Sequence, residues 1–169
     1  MIKAITLLIF LNSYVLSVWA KVDAYNYNFS IDQFRSLLPG NQLAEDVQIL
    51  KQENGYTLGL TYVKQLRYKF AVILQAQDGK IVDMFARLPT YFLHDIFHQS
   101  LINRFGKQDD YIKRENSALY IWNDKNGLEH SYNGSCTITC YPDFYYVKKN
   151  DYPEDLTPLM ETLNGVLDV

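Results

Sequence analysis

Apolar and polar positions change rhythm repeatedly between Tyr68 and Phe105, and the rest of the chain is arranged around that stretch. Tyr68–Ala76 (YKFAVILQA) and Lys80–Leu88 (KIVDMFARL) are rich in aliphatic and aromatic residues and flank Gln77-Asp78-Gly79. Two such runs around a short glycine-containing loop predict an antiparallel hairpin. With all three residues in the loop, Gly79 takes the left-handed position, where the lack of a Cβ removes the steric cost. The strands then align Ala76 with Lys80, Leu74 with Val82, Val72 with Met84 and Phe70 with Ala86. One face becomes almost wholly apolar, so burial should hold this register against a slip. Beyond Leu88-Pro89 the period lengthens: Leu93, Ile96, Phe97, Leu101 and Phe105 recur at helical spacing, predicting a helix from Thr90 to Phe105 that Gly106 ends.

Upstream, Lys21–Phe29 reads as an extended arm. Ser30 caps a short helix with Gln33 at the capping-box position and Phe34, Leu37 and Leu38 as its apolar stripe. Pro39-Gly40 stops it. Leu43–Lys51 and Tyr56–Gln65 read as strands around Gln52-Glu53-Asn54-Gly55. Downstream, a second meander is expected over Ala118–Asn123, Leu128–Ser131 and Ser135–Val147, with turns at Asp124–Gly127 and Tyr132-Asn133-Gly134. Pro142 must bend the last strand or keep it at an edge. After Asn150 the chain turns acidic. Thr157-Pro158 then opens a helix whose stripe is Leu156, Leu159, Met160, Leu163 and Leu167. The expected fold is α+β: an antiparallel sheet packed by one main helix, with a short N-terminal helix and a C-terminal helical tail. That tail either docks on its own domain or fills a partner's groove.

Composition changes this picture in three places. Met1–Ala20 reads as a secretory signal peptide, with Lys3 as its positive region, Ala4–Leu11 as its apolar run and Val18-Trp19-Ala20 as its cleavage site. The run is short for a permanent anchor, and no Cys follows it to take a lipid. The expected division is a signal peptide over residues 1–20, one α+β domain over 21–150 and the helical tail over 151–169. The mature form should be exported, periplasmic or secreted, with no stable membrane span. The net charge of −3 becomes one unit more negative without Lys3, and no basic stripe exists, which argues against a nucleic-acid partner. Fourteen Tyr and nine Phe either fill strand faces or form a recognition surface.

No motif names a reaction, and no cofactor is expected. His94-Asp95-Ile96-Phe97-His98 sets two imidazoles one helical turn apart, the spacing of a zinc site. Asp95, however, is a methylene shorter than the Glu that activates water there, and both His flank the apolar stripe, where they also read as solvated residues. Cys136 and Cys140 lie in a predicted strand, too far apart for a bridge unless the strand coils. They are either bridged in an oxidising compartment or buried as thiols. A turn at Tyr132-Asn133-Gly134 sets His130 opposite Cys136 and Leu128 opposite Ile138, and a thiol beside an imidazole is how cysteine nucleophiles are activated. Tyr120, Trp122, Thr137, Thr139 and Tyr141 share the other face, either as a binding surface or, for Trp122, as core.

The segment Leu101–Trp122, with its helix, Phe105-Gly106-Lys107-Gln108-Asp109 and a Trp-bearing strand, resembles small exported bacterial α/β modules. These are the β-lactamase-inhibitor-protein-like and outer-membrane-assembly small-lipoprotein types. In them a helix ending in a Gly-Lys-Pro-Asp-like turn packs on an antiparallel sheet. Gln108 stands where Pro is usual. The resemblance implies binding or assembly. The expected function is thus an exported protein-binding module such as an inhibitor, immunity or envelope-assembly factor, using Tyr120, Trp122, Tyr141, Leu159 and Leu163. The competing classes are a small secreted hydrolase using His130 and Cys136 or a metal at His94 and His98, and a carrier of an apolar ligand.

Overall fold

The computed structural model describes residues 31–65, 68–88, 94–115, 117–124, 127–134 and 142–167. Its strands are β1 (Gln48–Glu53), β2 (Tyr56–Gln65), β3 (Tyr68–Gln77), β4 (Lys80–Arg87), β5 (Asp110–Lys113), β6 (Ala118–Asn123), β7 (Leu128–Gly134) and β8 (Asp143–Lys148). The helices are α1 (His94–Phe105), α2 (Leu159–Leu167) and two 3-10 turns, at Ile31–Leu37 and Lys149–Asp151. All strands pair antiparallel in one sheet, in the order β1-β2-β3-β4-β8-β7-β6-β5. The architecture is mostly β. Two four-stranded meanders, each preceded by a helical segment, join where β4 meets β8.

Two Asx-Gly turns set the first meander. Asn54 and Gly55 have φ of 47° and 80°, and Asp78 and Gly79 have φ of 50° and 77°. Positive φ at both central residues is the type I′ geometry, whose twist matches that of the flanking strands. The β3–β4 loop is therefore Asp78-Gly79 alone, and Gln77 pairs with Lys80. A bulge beside Gln75 then shifts the ladder, so that Leu74 faces Met84 and Val72 faces Ala86. The three-residue loop and its register are corrected accordingly. The apolar face survives because the bulge restores the alternation that the shorter turn displaced.

The second meander departs further from expectation. Tyr132, Asn133 and Gly134 are not a turn; they continue β7, with Tyr132 and Asn133 pairing with β8 and Gly134 with Ala118 of β6. β5, too short and polar to show alternation, is an additional edge strand. β1 begins at Gln48 rather than Leu43, and Val47 instead folds inward onto Gly59, where any Cβ would strike its side chain. β8 begins after Pro142, whose carbonyl accepts from Leu88 N. Residues 89–93 lie outside the described residues, so α1 is described only from His94.

Two cross-strand rows organise the face carrying the main core. One runs Tyr120–Tyr132–Phe144–Ala86–Val72–Thr61, and the other Trp122–His130–Tyr146–Met84–Leu74–Gly59. Both are bulky and aromatic in the second meander and become aliphatic, then small, in the first. Phe34 and Leu37 of the Ile31–Leu37 turn and Phe97 and Leu101 of α1 complete this core. The opposite face holds a smaller core of Phe85, Tyr145, Val147 and Leu159, against which Met160 and Leu163 pack. Helices thus lie on both faces, and a single main helix does not describe the packing. Burying a leucine such as Leu159 contributes about 1.5–3 kcal/mol. Among the described residues no helix is long and apolar enough to cross a membrane.

Candidate functional site

The alternation of β6, β7 and β8 stacks rings because each strand carries aromatic or imidazole residues two apart on one face. α1 lies across them. His94 Nδ1 is 3.1 Å from the Tyr132 hydroxyl, and Tyr120 Oη is 3.5 Å from His94 Nε2. The His94 and His98 rings stack at 5.6 Å, and His98 lies 3.9 Å from the Tyr120 ring. Gly134 has no Cβ to obstruct the Tyr132 ring lying over it. Burial lowers the pKa of both α1 histidines; beside it, the charge of His94 lowers His98 further and Asp95 opposes in both. The two are half-buried parts of the helix–sheet contact, not solvated flanks. The His94 nitrogens approach the Tyr132 and Tyr120 hydroxyls, whereas His98 Nε2 is buried without a partner, and no group of three potential metal ligands occurs among the described residues.

His130 occupies the second row. Its ring stacks between Trp122 at 5.2 Å and 7° and Tyr146 at 5.0 Å and 28°, with Phe105 at 4.1 Å. Its register partners are Trp122 and Tyr146, which overturns the predicted facing of His130 with Cys136. Likewise Leu128 faces Lys148 rather than Ile138. The turn on which the His130–Cys136 pair was built is thus replaced by strand; Cys136 and Cys140 themselves lie outside the described residues, as do Thr137, Thr139 and Tyr141. His130 is only 5% exposed, and its Nε2 has no hydrogen-bond partner. Burial pushes its pKa down to about 4 despite the opposing pull of Asp124 and Asp109, so the ring is neutral at pH 7. It lines a cavity of about 420 Å³ bounded by Phe105, Trp122, Leu128 and Tyr146, with Lys107, Asp109 and Asp124 at its lip.

Of the pair read as a binding surface or, for Trp122, as core, both are buried, Tyr120 at 7% and Trp122 at 3% exposure. Trp122 donates from Nε1 to the Gly106 carbonyl at 2.9 Å, tying β6 to the end of α1. Leu159 is buried against the sheet and Leu163 is half-buried beside it.

On the other face, Asp83 fixes the C-terminal segment. Its Oδ2 accepts from the Tyr145 hydroxyl at 2.9 Å, the Tyr152 hydroxyl at 3.1 Å and Leu159 N at 2.8 Å. Gln75 Nε2 adds donations to Tyr152 Oη at 2.7 Å and the Thr157 carbonyl at 3.1 Å. Asp83 Oδ1 is buried without a partner, and burial, outweighing these three hydrogen bonds, raises the carboxyl to about 6. Beside this segment runs a groove of about 410 Å³ lined by Leu50, Tyr56, Leu58, Ile73, Leu156 and Leu163, among others. It opens toward β1, all of whose residues are exposed. Ile49 and Leu50 are 46% and 49% exposed.

No family model, curated protein or solved structure matches the chain.

Sequence reasoning missed the roles of Tyr132, Tyr146 and Asp83. The signal for the first two was present as Tyr-x-Trp, His-x-Tyr and Phe-x-Tyr in three successive segments, a period-two repeat whose alignment only the β7–β8 pairing reveals. Asp83 gave no signal, because its partners lie about seventy residues away.

Proposed function

We propose that the chain is an exported protein-binding module of the inhibitor, immunity or envelope-assembly kind, and that its contact surface is the β1 edge with the adjoining groove. The observation that carries this reading is an edge strand that no described residue pairs on its outer side, with exposed Ile49 and Leu50, beside a groove of mixed apolar and polar lining. An edge strand offers unpaired backbone N–H and C=O groups to an incoming strand, and neighbouring pockets then select its side chains. The leader-like residues 1–20 support export, and the resemblance of Leu101–Trp122 supports a binding role. The docked position of Leu159 supports moving the contact from the tail's own stripe to the groove it helps to build.

The test is capture by the tagged chain in extract from the exported compartment, with the partner then purified and titrated. Wild type should bind it stoichiometrically. Ile49→Lys/Leu50→Lys should weaken binding at least about tenfold, or about 1.4 kcal/mol, with an unchanged melting temperature. Equal binding by wild type and the double variant would remove the edge from the proposal.

A further inference from the structure

The sheet has a second open edge, at the end opposite β1, and its sequence is complementary to itself. β5 pairs with β6 on one side, and among the described residues no strand pairs its other side. Residues 109–115 are all exposed, with Tyr111 at 52% and Ile112 at 48%. An edge that shows large apolar side chains beside unpaired N–H and C=O groups is a template for another strand. Across this edge the chain runs Asp109-Asp110-Tyr111-Ile112-Lys113-Arg114. Acids precede the apolar pair and bases follow it. Laid antiparallel against a second copy, acid meets base at both ends.

The backbone fixes how the copies align. Arg114 N donates to the Ser117 carbonyl, so Arg114 and, by the alternation of the ladder, Ile112 turn their N–H and C=O groups toward β6. Those of Tyr111 and Lys113 turn outward. Antiparallel partners must both face the new ladder or both face away from it, so a two-fold axis passes through a residue rather than between two. Centred on Ile112, the pairing sets Ile112 against Ile112, Tyr111 against Lys113 and Asp110 against Arg114. Both Tyr111–Lys113 pairs then exchange backbone hydrogen bonds, and each ring gains an ammonium beside it. Centring on Tyr111 would instead recruit Asp109, whose Oδ2 already accepts from Asn123 N and whose N–H already donates to the Ile121 carbonyl.

We propose that β5 joins two copies of this chain into a symmetric antiparallel dimer, making two eight-stranded sheets one continuous sheet. Charges on an edge commonly deter pairing. Acids followed by bases repel a parallel copy, however, and attract an antiparallel one. β1 is less suited to a second copy: its Lys51 pairs with Glu53 of the same strand, and a bulge between Ile49 and Lys51 breaks its ladder. Asp110 and Lys113 make no ion pair among the described residues. The dimer leaves both β1 edges open, so it stands apart from the contact proposed above.

β5 is short, so the dimer should be weak, with Kd of about 10–100 µM. Sedimentation of the whole chain from about 5 to 500 µM should show monomer giving way to dimer and to nothing larger. Reducing buffer keeps Cys136 and Cys140 from linking copies. Asp110→Lys should weaken the dimer at least about tenfold, and so should Lys113→Glu/Arg114→Glu. Mixed in equal amounts, the two variants should form a heterodimer that recovers most of the lost affinity, because each offers the sign that the other lacks. Asp110→Lys should melt as wild type does. Arg114 also acts on Asp143 through its charge, and should the second variant lose stability, Asp110→Lys decides the matter alone. Ile49→Lys/Leu50→Lys should leave the dimer unchanged. Monomer at every concentration, a dimer indifferent to the charge changes, a mixture of folded variants no tighter than either one alone, loss of the dimer with the β1 variant, or open-ended growth would each overturn the proposal.

Discussion

The two meanders are built to the same plan and filled with different chemistry. Across the same two rows, the first meander presents Ala86, Val72 and Thr61 or Met84, Leu74 and Gly59. The second presents Phe144, Tyr132 and Tyr120 or Tyr146, His130 and Trp122. An aliphatic side chain asks only to be removed from water, so the first half closes with its needs met. Tyrosines, imidazoles and indole carry polar atoms that must be paired when buried. In the second half some pairs are made, as between Tyr132 and His94, and the Nε2 atoms of His98 and His130 are buried without a hydrogen-bond partner. On this face the polar demands of burial therefore fall on the aromatic half, whereas the aliphatic half contributes an edge and a scaffold.

The largest expected effect is at the seam. Phe144 is fully buried and meets Phe34 and Phe97 edge-on. Phe144→Ala should cost about 3–5 kcal/mol in denaturant unfolding. Hydrogen exchange on that variant tests the comparison directly. If the halves are one cooperative unit, protection falls together in β3 and β7; loss in β7 alone would make the second meander a separate unit.

Next comes Asp83. Asp83→Ala removes the acceptor of three donors and should cost about 2–4 kcal/mol. Asp83→Asn keeps an acceptor and removes the buried charge. The carboxyl of Asp83 is raised from 3.8 to about 6, so the folded state binds more protons than the unfolded state in that window. The stability it contributes is fully present below pH 3.8 and is lost as pH rises through about 6. Asp143 behaves alike, raised to about 6 chiefly by burial. His130 has the opposite sign. Lowered from 6.5 to about 4, it favours the fold above pH 6.5 and progressively opposes it as pH falls toward 4. The carboxylates of the tail-bearing face and the imidazoles of the aromatic layer therefore offset each other between pH 4 and 6. Asp83→Asn should make thermal stability fall more steeply on acidification, and His130→Phe should make it fall less steeply. Parallel wild-type and variant profiles would show that neither group is coupled to folding.

The smallest effect belongs to the first meander's turns. Gly79 has φ of 77° and space for a methyl group, so Gly79→Ala tests backbone strain without a clash and should cost about 1 kcal/mol. Melting should show that loss with no change in the NMR signals of His130.

What could be read in advance follows the same division. Strands β2, β3, β4 and β6 and the end of α1 at Gly106 were legible because alternation, Asx-Gly turns and a glycine stop are local signals. β5 and the length of β7 were not, since DYIK and LEHSYNG are too polar to alternate clearly. Extending β7 through Gly134 replaced the His130–Cys136 pairing with His130–Tyr146 and brought all three histidines of the chain into one layer with Tyr120 and Trp122. The sequence by itself determined an antiparallel sheet with aromatic-rich strands and amphipathic helical segments, because period-two and period-3.6 burial are written in neighbouring residues. Only the tertiary structure decided that β4 lies beside β8, that α2 packs on the face opposite α1, and that Asp83 and His130 are buried. Those outcomes depend on contacts between residues far apart in the chain, which no local pattern records.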